Sequence, residues 1–237
     1  MKQLLQIFLV FFPFVFTCGQ GFEFRYEAQT DLNSDGKTDN ITVKSIDETF
    51  DYILNVNGKD IRGNLGEEPI DGFTVIDINK WDAYREIAVH TPGPSDDDIF
   101  MLYWYDGSEI IAMNMLSRWP EFKGNGIVYV KGWEGFWAPL DKYKLDDASR
   151  KLIHIEQFAY YVGLKIKINK GFNIFREKEL INEVALLSDN SEIEIILCDR
   201  KGYDYYDYRY LIKSSTGLLG WSDYSSMEPC ITLPSAD

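Results

Sequence analysis

Residues 31–47 read DLNSDGKTDNITVKSID, an acidic loop centred on glycine that runs directly into alternating apolar and polar residues. The alternation is a strand signal, because successive side chains of an extended chain point to opposite faces. The loop asks for a second explanation. Side-chain oxygens of Asp31, Asn33, Asp35 and Asp39 fall at positions 1, 3, 5 and 9, with Gly36 at position 6 to permit a sharp turn. Carboxylates this close repel one another unless a cation neutralises them, and Ca²⁺ takes oxygen ligands in this spacing, with the carbonyl of Lys37 as a further donor. An acidic turn that only solvates a hairpin uses fewer such residues. An EF-hand would carry Glu at position 12, where this chain has Thr42 and a strand begins.

Outward from this loop the same period of two recurs in DYILNVN, TVIDIN, REIAVHT, IFMLYWY and EIIAMNM. Each run is short, rich in β-branched and aromatic residues, and bounded by turn chemistry. Asn57-Gly58 and Asp106-Gly107 are tight-hairpin signals, because these dipeptides accept positive φ. KWDAYREI and REKELINEV are the nearest to helices, and both are too short to stand as such. The expected class is mainly β. A boundary at QFAYYVGL, residues 157–164, divides a first unit at 22–157 from a second at 163–237.

A poorer copy of the acidic loop follows at DINKWDAYRE, where Asp77, Asn79, Asp82 and Glu86 keep the opening D-x-N, lose the glycine and gain a residue. These four form a possible second metal site, or cap strands through hydrogen bonds. The offset from Asp31 to Asp77 suits a repeated four-strand unit.

The motif D-x-N-x-D-G-x-x-D at 31–39 resembles the calcium loops of FG-GAP and VCBS repeats, and GPSDDD at 93–98 resembles their Gly-Pro element. The resemblance implies an open or sandwich-like β-domain of repeat-like pieces, since two such units would not close a propeller. The segment from 193 to 221 resembles bacterial SH3-like (SH3b) domains through Ile193, Ile195, Tyr210–Lys213, Thr216-Gly217 and the closing Gly220-Trp221. That resemblance implies a small barrel that binds cell-wall or extended peptides. Tyr203, Tyr205, Tyr206, Tyr208 and Trp221, with Asp204 and Asp207, are the candidate peptide groove, the alternative being that they pack the barrel.

The first twenty residues, MKQLLQIFLVFFPFVFTCGQ, have the layout of a secretory leader at 1–19. Cys18 stands where a lipoprotein is acylated, the alternative being simple cleavage near Gly19. Export to the periplasm, the outer membrane or the cell surface is expected. The formal charge of −14 becomes one unit more negative without Lys2, which disfavours nucleic acid and anionic membrane surfaces as partners. In an oxidising compartment Cys198 and Cys230 form a possible disulfide, the alternative being two unpaired buried thiols.

No GxSxG, HExxH, Walker or GxGxxG pattern occurs, and His90 and His154 have no sequence neighbours that make a dyad. Trp133, Phe136 and Trp137, with Trp104 and Trp119, suit core packing better than a carbohydrate platform. The sequence supports an exported binding or scaffold protein with structural Ca²⁺ and an SH3-like module. The alternative is an enzyme acting on cell-wall polysaccharide through paired carboxylates in a cleft near Trp133.

Overall fold

The computed structural model describes residues 21–46, 50–66, 68–94 and 97–232; the leader and Cys18 lie outside them. The described chain is mainly β and forms four antiparallel sheets. The first sheet contains β1 (Glu27–Thr30), β2 (Asp39–Ser45), β3 (Asp51–Val56) and β4 (Lys59–Asn64), paired in chain order. The second repeats that plan with β5 (Gly72–Ile76), β6 (Glu86–Thr91), β7 (Ile99–Tyr105) and β8 (Ile110–Ser117). A third copy, not read from the sequence, uses β9 (Pro120–Phe122), β10 (Ile127–Lys131), β11 (Leu140–Asp146) and β12 (Lys151–His154).

These sheets stack face to face. Leu32, Ile41, Tyr52 and Leu54 of the first unit share a core with Phe73, Ile87, Val89 and Tyr103 of the second. The opposite face of the second sheet, with Ala88, Phe100 and Leu102, shares another core with Val128, Val130, Leu145 and Leu152 of the third. β6 is accordingly buried at every position, as a strand covered on both faces must be. Between the first two sheets the Tyr52 and Tyr103 hydroxyls meet at 2.6 Å. Gly63 leaves room for them: a Cβ there would lie 2.3 Å from the Tyr52 ring. The outer face of the first sheet is polar. Gln29 donates to Asn40 at 2.8 Å, and Asn55 to Asp60 at 2.6 Å. A polar outer face ends a stack of repeats without closure, as a capping repeat does in a solenoid.

The fourth sheet comprises β13 (Tyr160–Lys167), β14 (Asn173–Phe175), β15 (Glu183–Leu186), β16 (Glu192–Asp199), β17 (Arg209–Ser214) and β18 (Leu219–Asp223). Its strand order is β13-β16-β17-β18-β14-β15. The expectation of a small barrel is corrected here: β13 and β15 remain two unpaired edges, and none of the sheets closes. β14 reaches β18 at a single pair, Phe175 with Trp221. The inner face buries Ile174, Ile193, Ile195, Tyr210 and Ile212 against Phe136 and Trp137 from the third unit. The one-turn helix α1 (Tyr224–Met227) adds Tyr224 and Met227 to that core.

Local turn chemistry sets the hairpins. Asn57 and Gly58 have φ of 53° and 82°, as the two-residue turn between β3 and β4 requires.

Candidate functional site

The acidic loop at 31–39 connects β1 to β2. Gly36 takes a φ of 81° and closes the turn. Asp31 accepts the Gly36 amide at 2.9 Å and, with the Asn33 side-chain oxygen, the Asp35 amide at 3.2 and 3.3 Å. Two of the expected ligands are therefore already convergent. Asp35 turns toward its own side of the loop, accepting the Lys37 amide at 2.8 Å and pairing with the Lys37 ammonium at 3.5 Å. Asp39 is buried and ties the loop ends together: it accepts Leu32 N–H at 2.8 Å and the Asn57 side-chain amide at 2.7 Å. Among the described residues no group of three acidic, histidine or cysteine side chains is drawn tightly enough to hold a metal ion. The donors are all hard oxygens, which is the chemistry Ca²⁺ takes, and each carboxylate oxygen that accepts one N–H keeps a second lone pair. The residues fit the ion in kind; Asp35 is the side chain that has to swing.

The second loop occupies the equivalent place between β5 and β6, and its anatomy matches the first. Ile78, like Leu32, is fully buried, and its amide donates to the acid at the loop end, Glu86, at 3.0 Å. Here, however, a cation is built in. Arg150, from the turn between β11 and β12, donates to Asp82 and to Glu86 at 2.8 Å each. Its guanidinium lies 4.9 Å from the Tyr84 ring centre and 5.4 Å from that of Trp104. Burial pushes the Glu86 carboxyl up to about 7, against the opposing pull of the Ile78 amide and Arg150. Burial also raises Asp77, whose Oδ1 is buried without a partner. Asn79 and Asp82 accept the Trp81 and Tyr84 amides at 3.4 and 2.8 Å. Of the second set of predicted metal ligands, Asp82 and Glu86 pair with Arg150 and Asn79 caps a local turn, while Asp77 keeps its buried Oδ1 without a partner. No local signal joins Arg150 to a loop more than sixty residues earlier, so sequence reasoning missed it.

The third equivalent loop is only Lys123–Gly126. It has lost its acids, and it bonds back to the second loop through Gly126 N–H to Ile78 O at 2.8 Å.

His90 was also missed. The ring is buried, with Nδ1 2.6 Å from Asp71 and Nε2 2.9 Å from Asp98. Phe24 stacks on it at 4.2 Å. The hydroxyl of neighbouring Thr91 is held by the Glu68 and Pro69 carbonyls, both at 3.0 Å, and offers no nucleophile. The triad joins two loops to β6 and has the features of a structural clamp.

The predicted peptide groove is not brought together as expected. Tyr205 and Tyr208 pack on each other at 5.6 Å and against the inner core, and Tyr205 meets Tyr224 at 4.9 Å with the rings tilted. Trp221 lies on the opposite, outer face of the sheet. There Leu197, Leu211, Trp221 and Phe175 are cross-strand neighbours in one row. Lys178 sits 4.9 Å over Trp221 and 4.3 Å over the exposed Phe158. Arg209 stacks on Tyr203 at 4.4 Å and donates to the Lys178 carbonyl at 2.7 Å. Of the four groove tyrosines, Tyr203 stays connected to Trp221 through these cations.

Phe136 and Trp137 are core, while Trp133 is half-exposed beside Glu134, which pairs with Arg200. The disulfide is also corrected: Cys198 and Cys230 are both buried and free. Cys230 Sγ lies 3.5 Å from the Ser226 carbonyl, and burial raises the Cys198 thiol to about 12. Comparison with family models, curated proteins and solved structures finds no match to this chain.

Proposed function

We propose that this chain is an exported binding or scaffold protein whose first sheet is braced by one structural Ca²⁺. Its C-terminal sheet would meet a cell-wall or other extended peptide along the outer row around Trp221. The contrast between the two equivalent acidic loops carries the reading. Loop 77–86 has an internal cation, Arg150, between its acids. Loop 31–39 has the fuller set of oxygens and only the exposed Lys37 at its rim. Asp31, Asn33, Asp35 and the Lys37 carbonyl would hold the ion, and Asp39 would keep the loop ends together. Bound calcium supplies charge neutralisation and a fixed loop geometry.

Extracellular modules of this kind bind calcium at about 10⁻⁴ to 10⁻³ M. Calcium at tenfold excess over such a Kd stabilises the folded chain by about 1.4 kcal/mol, or roughly 3–6 °C in Tm. Asp31→Ala and Asp35→Ala are expected to remove that gain in calcium and to lose less in chelator, where only the loop's own hydrogen bonds are at stake. Equal losses under both conditions would show that the carboxylates serve the turn alone.

A further inference from the structure

The third sheet has an outer face unlike the rest of the molecule. On β10 and β11, Ile127 pairs with Lys144, Tyr129 with Lys142, and Lys131 with Leu140. On β12, Ile153 sits opposite Lys144 and Lys151 opposite Asp146. Directly opposed residues of antiparallel strands share a face, so these side chains form one surface. The alternate positions, Val128, Val130, Leu145 and Leu152, are buried against the second sheet. Lys123 joins the surface by lying 5.7 Å over Tyr129. Five lysines therefore stand among exposed apolar side chains, with Leu140 50% and Ile153 51% exposed. Glu121 and Asp146 are the carboxylates of this face, and Asp146 is held by the Ser149 amide and hydroxyl. Lys131, Lys142, Lys144 and Lys151 enter no ion pair among the described residues.

We infer that this face docks on an anionic lipid surface. Charge is segregated along the stack: residues 21–120 carry twenty acidic against eight basic side chains, whereas residues 121–159 carry six of each. Stacked sheets lie about 10 Å apart, so the acidic first sheet stands roughly 20 Å behind the lysine face. The Debye length is about 8 Å at physiological salt. A membrane against the third sheet meets the lysines and is screened from most of the acidic pole. The interleaved Ile153, Leu140 and Tyr129 favour lipid over a purely ionic polymer, because lysine stems lie along apolar surface while their ammonium groups reach headgroups. The inference stands apart from the calcium loop.

The test is co-sedimentation of the unacylated mature chain, residues 19–237, with vesicles of phosphatidylcholine alone or mixed with phosphatidylglycerol. Binding to the anionic vesicles alone, falling as salt rises, is expected. Lys142→Gln with Lys144→Gln is expected to weaken it by about 30-fold, from the contribution each lysine makes near an anionic surface. Lys44→Gln with Lys59→Gln, the same charge change on the first sheet, is expected to leave it unchanged. All four side chains are exposed or half-exposed, so both variants are expected to fold; matched melting curves check this. Absence of binding to the anionic vesicles, or equal weakening by the two pairs, overturns the inference. So does salt-sensitive self-association, broken by the Lys142 and Lys144 pair, in a chain that ignores vesicles; a second copy would then cover the face.

Discussion

Replacing Arg150 by Met removes the internal cation of the second loop and nothing else of comparable size. Arg150 is 6% exposed and Glu86 is fully buried. After the change Glu86 keeps only the Ile78 amide, and Asp82 only that of Tyr84. Breaking a buried pair by removing one partner costs about 3–5 kcal/mol, because the remaining charge has no compensation. In a chain of this size that corresponds to roughly 6–20 °C in Tm.

The loss depends on pH with a definite sign. Glu86 titrates near 7 in the folded chain and at its ordinary 4.5 when unfolded. Its raised value means that the folded state holds a proton the unfolded state has released. This contribution to stability is fully present below the unfolded value and is lost as pH rises through the folded one. Without Arg150 the carboxyl is pushed higher still, so the folded variant must either protonate it or bury it charged at pH 8. At pH 5 it is neutral in both chains, and what remains is the Arg150 pair with Asp82 and the stacking on Tyr84 and Trp104, the stacking worth about 1–2 kcal/mol. Urea denaturation followed by tryptophan fluorescence at the two pH values measures the difference directly. Glu86→Gln combined with Arg150→Met removes both charges and is expected to recover part of the loss at pH 8. Equal losses at pH 5 and pH 8, or a loss below about 1 kcal/mol at pH 8, would mean that the guanidinium is not neutralising a buried acid.

Two further outcomes follow from the C-terminal sheet. Cys198 and Cys230 are expected to resist a thiol reagent in the folded mature chain and to react in urea, with Tm indifferent to reductant; a fall equivalent to roughly 3–4 kcal/mol on reduction would restore the disulfide. Phe158→Ala and Trp221→Ala are each expected to weaken co-sedimentation with purified peptidoglycan about tenfold, and undiminished binding would move the ligand surface elsewhere.

What was legible in the sequence was what neighbouring residues decide among themselves. Asn57-Gly58 fixes its hairpin through its own φ values, and the β2 alternation puts Ile41 and Val43 inward with Asn40 and Lys44 outward. The third sheet was not legible, because its loop shrank to Lys123–Gly126 and kept no acidic signature. Nor was the open C-terminal sheet, since the Gly220-Trp221 hairpin pattern is local whereas closure depends on whether β13 meets β15. Arg150 and His90 fall in the same category. Their partners are other chains of residues brought near by stacking, and no spacing rule announces them.

Net charge would be a poor guide to the proposed docking for a related reason. A sum over the chain treats every lysine as diluted by the acids, and on that sum an anionic surface is a poor partner. Electrostatic attraction at a surface counts only charges within about a Debye length, and folding decides which those are. The first two units carry the excess of acid, part of it gathered into loops where the proposed Ca²⁺ or Arg150 neutralises it. The third unit places Lys142 and Lys144 on the outer face of its sheet, away from the core it shares with the second sheet. The same three-layer stack that buries β6 on both sides therefore also separates an acidic end from a net-neutral one whose outer face carries lysines. A chain with identical composition and a closed ring of sheets would have no such end face, and the net-charge argument would then hold.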